Sequence, residues 1–201
     1  MKKLLVFCSV LFLLAFVAAD NPLTKKERKY AVGMLKDTEK AVEKSLKGLT
    51  DAQLTYKPSD EQWSVEGCIK HIAVSEQMLG EAMQKAMQAP PNPEKRANIK
   101  ATDEDLVKFL ENRSQKVKTM DPMKPENIAF ANTAEALAAF KLNREKLINY
   151  MQSTKEDLRN HVVELPFGSY DAYQMVLLIA AHSNRHTQQI EEVKATAGFP
   201  K

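Results

Sequence analysis

The chain has 201 residues, 29 of them basic and 26 acidic, for a formal charge of +3. Without Lys2 and Lys3, which belong to a leader, the balance is 27 to 26, too even for the concentrated basic surface that nucleic acid requires. At 44% hydrophobic and 27% charged residues, the makeup is that of one ordinary globular domain with a sizeable core, not of a disordered chain.

Lys2 and Lys3 precede an apolar run from Leu4 to Val17 and the small-residue site Val17-Ala18-Ala19, the pattern of a secretory signal peptide cleaved after Ala19. The run is shorter than the roughly 20 residues of a spanning helix. Cys8 lies inside it, whereas a lipid-acceptor cysteine would close it. Residues 1–19 are therefore read as a signal peptide and 20–201 as the mature domain, exported to a periplasmic or extracellular location without stable membrane association. The mature chain keeps one cysteine, Cys68, so no internal disulfide can form and the fold rests on its core.

Past the leader, apolar residues recur at three and four rather than two, and β-branched runs bounded by turns are missing, which predicts an all-α domain. Thr24-x-x-Glu27 has the form of a capping box for a first helix with the stripe Ala31, Met34, Leu35, Thr38, Val42, Leu46 and Leu49, ending at Gly48. Ser64 caps a second helix whose apolar side is Val65, Cys68, Ile69, Ile72, Leu79 and Met83. Pro90-Pro91-Asn92-Pro93 stops that helix, and a shorter helix follows from about Thr102 to Thr119. Thr133 is expected to cap the next helix, with Leu137, Phe140, Arg144, Leu147, Ile148 and Met151 on one side. After a turn at Phe167-Gly168-Ser169, a last helix runs from about Tyr170 to Ala195. Four long amphipathic helices predict a bundle.

The last helix carries His182 and His186 on the stripe set by Met175, Ile179, Ile190 and Val193. Four residues apart on a helix, both imidazoles face one way and can reach one ion. His71 repeats the anomaly on the second helix beside Ile72. A buried imidazole needs a partner or an ion to offset its desolvation. Three of them on core-facing sides of helices that must pack together point to one shared divalent-metal site. Nitrogen ligands suit zinc or nickel, and three of them leave a coordination position for water or a small-molecule substrate, as in catalytic zinc sites.

Other residues are less decisive. Cys68, three residues before His71, could add a thiolate but reads better as a small buried hydrophobe. Gln189 is placed to hydrogen-bond a ligand imidazole. Glu66 and Glu76 are candidate acids or bases, or simply a solvated helix face. Arg144 could reach an anionic substrate or snorkel to solvent. Trp63 reads as a packing anchor, the methionines as core filling, and His161 as a surface or turn residue. No catalytic acid or base can be assigned.

In Trp63-Ser64-x(6)-His71 followed by His182-x(3)-His186-x(2)-Gln189, the chain resembles the DinB-like superfamily of metal-binding four-helix bundles. The likeness spans roughly Thr24 to Pro200. It implies that His71, His182 and His186 are the metal ligands, and that a long crossover, here Ala89 to Asn132, joins the second and third long helices. It implies a metal-dependent hydrolase or a thiol-dependent transferase. Ser183-Asn184-Arg185 lacks the acidic residue that many relatives carry, and Thr187-Gln188 replaces a frequent Arg-Gly. A metal-bearing bundle without turnover and a structural homodimer with a vestigial site are the competing readings.

Overall fold

The computed structural model describes residues 22–114 and 117–201, so the expected signal peptide lies outside the described residues. In chain order the elements are α1 (Lys25–Leu46), the short α2 (Asp51–Thr55), α3 (Val65–Gln88), the short α4 (Asp103–Glu111), α5 (Thr133–Ser153), a hairpin of β1 (Val162–Leu165) and β2 (Gly168–Asp171), and α6 (Ala172–Lys194). The chain is thus mostly helical, with four long helices forming the bundle. No described helix is long and apolar enough to cross a membrane.

The helix starts follow their caps. Thr24 Oγ1 accepts from the Glu27 amide at 3.1 Å while Glu27 Oε2 accepts from the Thr24 amide at 2.8 Å, closing the expected capping box. Ser64, seven residues before His71, accepts from the Gly67 amide at 3.0 Å through its Oγ and fixes where α3 begins. Gly48, at φ 76°, takes the left-handed position just past the end of α1, where a Cβ would be strained.

Contacts between the long helices fix their directions. Tyr173 donates to the Glu27 carbonyl and Lys194 to the Ser45 carbonyl, so α1 and α6 run parallel. Arg28, near the start of α1, donates to the carbonyls of Met151 and Thr154 at the end of α5, so that pair is antiparallel. Thr133 meets Glu66 and Arg144 meets Glu76, which makes α3 and α5 parallel neighbours. Parallel neighbours cannot be joined by a short loop, because the chain must first return to the end it left. That is why residues 89–132 form a crossover, with α4 laid against α6 on the way.

Three local expectations change. First, α4 ends at Glu111 instead of running to Thr119. The Asn112 side chain accepts from the Ser114 amide at 2.9 Å, a local turn that competes with the helix. Second, Asn132 rather than Thr133 caps α5, accepting from the Glu135 amide at 3.0 Å. Third, the turn before α6 is a small antiparallel hairpin with Val162 opposite Asp171 and Leu165 opposite Gly168. Asp171 then caps α6 through the Gln174 amide at 2.8 Å, two residues later than the expected start.

The core has two apolar groups, one around Leu35, Met151, Met175 and Leu177, the other around Cys68, Ile69, Ile72, Phe140 and Ile190. Arg144 sits at their junction, fully buried. It neither reaches for substrate nor snorkels. Its Nε and Nη2 clasp the two oxygens of Glu76 at 2.7 Å each, Nη1 donates to the Leu35 carbonyl at 2.7 Å and Thr38 Oγ1 at 2.6 Å, and Nη2 also donates to Ser183 Oγ at 2.8 Å. All five guanidinium donors are thereby engaged. Both Glu76 oxygens are held, which removes it as a free acid or base.

Candidate metal centre

Because α3 and α6 are antiparallel neighbours, His71, early in α3, meets the middle of α6, where His182 and His186 stand one turn apart. One ring nitrogen from each of the three lies within 4.8 Å of the others, and no carboxylate or thiol among the described residues joins the group. His71 Nε2 and His182 Nε2 are 3.2 Å apart. Two nitrogens each roughly 2.0–2.1 Å from one ion at a tetrahedral angle stand about 3.3–3.4 Å apart, so this spacing suits a divalent ion.

Two rings have their tautomers set by acceptors. His71 Nδ1 lies 2.8 Å from the Met123 carbonyl, which can only accept, so Nδ1 carries the hydrogen and the Nε2 lone pair faces the other histidines. His186 Nδ1 lies 2.9 Å from Gln189 Oε1, the contact expected for Gln189, with the same result. Met123 belongs to the crossover, so the segment that makes the parallel α3–α5 pair possible also buttresses His71. No side-chain pattern could announce it, since the partner is a main-chain oxygen.

Electrostatics keep the rings neutral. Burial lowers the pKa of all three, His182 to about 3, with the charges of His71 and Arg185 adding to the effect there. Neutral imidazole is the ligating form. His71 and His186 are buried, whereas His182 is partly open to solvent. Trp63 stacks on His186, with centroids 5.7 Å apart and planes 18° apart, and tilts over His71 at 4.9 Å. Its anchoring role is therefore exercised on two of the clustered imidazoles.

The remaining candidates stand outside the cluster. Cys68 is fully buried and free, and burial pushes its thiol up to about 12, the reverse of what a thiolate ligand needs. Glu66 pairs with Lys70 at 2.8 Å and accepts from Thr133. His161 is not a surface residue: it is buried, with Nδ1 2.9 Å from the Ala86 carbonyl, tying the segment before the hairpin to the end of α3. Met83, Met151 and Met175 fill core space as expected, while Met78 is exposed.

Residues 34–190 match the DinB superfamily. The chain belongs to this family. The chain is 26% identical over 150 residues to the uncharacterized protein YuaE of Bacillus subtilis (strain 168), covering 74% of this chain and 88% of that one. The solved structure of YfiT from Bacillus subtilis superimposes with a TM-score of 0.61 at 16% identity, covering 89% of this chain and 91% of YfiT. YfiT is described as a probable metal-dependent hydrolase with an unusual four-helix bundle topology. At that identity the likeness shows a shared fold.

Proposed function

We propose that this chain is an exported metal-dependent hydrolase in which His71, His182 and His186 hold a divalent ion, zinc or nickel. The observation that carries the reading is the convergence of three neutral imidazoles, two of them with Nδ1–H already committed to fixed acceptors. The description of YfiT supports the hydrolytic class, and the leader pattern supports export. When bound by three nitrogens, such an ion supplies Lewis-acid polarisation of a substrate and activation of water. His71 and His186 would hold it through their anchored rings, with Trp63 packed against both of those rings. Arg144 keeps Glu76 from supplying a base.

A second reading, metal binding without turnover, is favoured by one feature. Three clefts on the described surface, of about 640, 530 and 730 Å³, are lined by none of the three histidines. Purified protein assayed on small esters, amides and thiol acceptors, before and after chelation and with zinc or nickel restored, separates the two. Hydrolysis that disappears with chelator and returns with metal supports the enzyme. Metal retained without turnover across the panel supports the binding protein.

A further inference from the structure

Arg113 lies just past α4, where the Asn112 turn directs it toward α6. Its Nε and Nη2 donate to the two oxygens of Glu192, each at 2.7 Å. The remaining end of the guanidinium, Nη1, approaches Gln189 Oε1 at 3.5 Å, a long contact held in place by that clasp. The same Oε1 is 2.9 Å from His186 Nδ1. His186, Gln189 and Glu192 follow one another at three-residue spacing on one face of α6, so a single arginine can span the last two. The adjoining segment is pinned to α6 independently, by Arg185 donating to the Leu110 and Asn112 carbonyls.

An amide has two faces of opposite character, an oxygen that accepts and an NH₂ that donates. Turned one way, Gln189 accepts from His186 Nδ1–H and leaves Nε2 as a lone pair. Turned the other way, it donates to Nδ1 and forces the hydrogen onto Nε2, where it blocks a metal. A guanidinium can only donate, so beside Gln189 it tolerates the first orientation and repels the second. We propose that Arg113 is a positioning residue for the metal centre, fixing the Gln189 amide so that His186 presents Nε2 as a ligand. This rests on reading the three histidines as metal ligands. The crossover then buttresses two ligands, His71 directly through Met123 and His186 through Arg113 and Gln189.

The test compares wild type, Arg113→Met, Gln189→Glu and the double variant, by zinc titration of each and by ¹⁵N-detected assignment of the His186 tautomer in metal-free protein. A carboxylate accepts from either side, so Gln189→Glu makes the arginine unnecessary. Arg113→Met is expected to weaken zinc binding by about 10- to 100-fold and to move His186 toward the Nε2–H form. The double variant is expected to restore both to wild type or better. Unchanged affinity and tautomer in Arg113→Met overturn the proposal. So does a double variant as defective as Arg113→Met, because a merely structural role is not rescued by Gln189→Glu. If wild type takes up no zinc, the metal reading fails, while the tautomer measurement still decides the role of Arg113.

Discussion

His71 Nε2 stands 3.2 Å from His182 Nε2, and His71 has already committed its only neutral-ring hydrogen to the Met123 carbonyl. Two lone pairs cannot face each other at that distance without cost. Either a hydrogen reaches that lone pair, from His182 or from the Ser75 hydroxyl 3.4 Å away, or a cation stands between the rings. The second arrangement also serves His186, whose Nδ1 is likewise committed to Gln189.

The position of Trp63 gives a direct optical readout. It is the one tryptophan of the chain, and its ring lies 4.9 Å from His71 and 5.7 Å from His186. Titration with Co²⁺ or Ni²⁺, open-shell ions that quench indole emission, is expected to reduce its fluorescence to a plateau at one equivalent. A signal that drifts without saturating would place the ion elsewhere.

Cys68 should be a bystander. Its thiol is buried and pushed up to about 12, so dithionitrobenzoate should not react with the native protein and should react fully in denaturant. Cys68→Ala should leave metal stoichiometry unchanged. Loss of one bound equivalent in that variant would make the thiol a ligand after all.

Stability without metal should depend on pH in a defined direction. The three histidines have folded pKa values below the unfolded value of about 6.5, His182 at about 3. As pH falls through 6.5 the unfolded chain takes up protons that the folded chain refuses. Their contribution is therefore complete above pH 6.5 and is lost as pH drops toward the folded values. The loss is at most about 1.4 kcal/mol per pH unit per histidine. Urea midpoints between pH 7.5 and 4.5 should fall less steeply for His182→Gln than for wild type. Parallel curves would contradict the neutral buried rings.

The Arg144–Glu76 pair predicts strong non-additivity. Glu76→Gln or Arg144→Met leaves a buried charge without its partner and should destabilise by about 3–5 kcal/mol in urea unfolding. Arg144→Met combined with Glu76→Leu removes both charges and should recover much of that loss. Additive losses in the double variant would show that the two residues act independently.

What the sequence disclosed was what is local. Capping residues Thr24 and Ser64, the His182–His186 spacing and the Gln189 contact all lie within one or two helical turns, where side chains meet by geometry. His71 required a further step, that helices carrying buried histidines pack together, and the bundle takes that step. Arg144 could not be resolved this way, because a cation on an apolar stripe looks the same whether it escapes to solvent or meets a carboxylate 68 residues away. The hairpin was missed because four-residue strands are too short to establish a period of two. His161 looked exposed because its partner is the Ala86 carbonyl, far along the chain and without a side-chain signature.

The central claim is that three histidines share one ion. Metal analysis of purified protein beside a His182→Ala/His186→Ala variant, with folding of both checked by circular dichroism, tests it most directly. One equivalent of divalent metal in the wild type and essentially none in the folded variant is the predicted result. Equal substoichiometric metal in the two proteins would contradict the shared site.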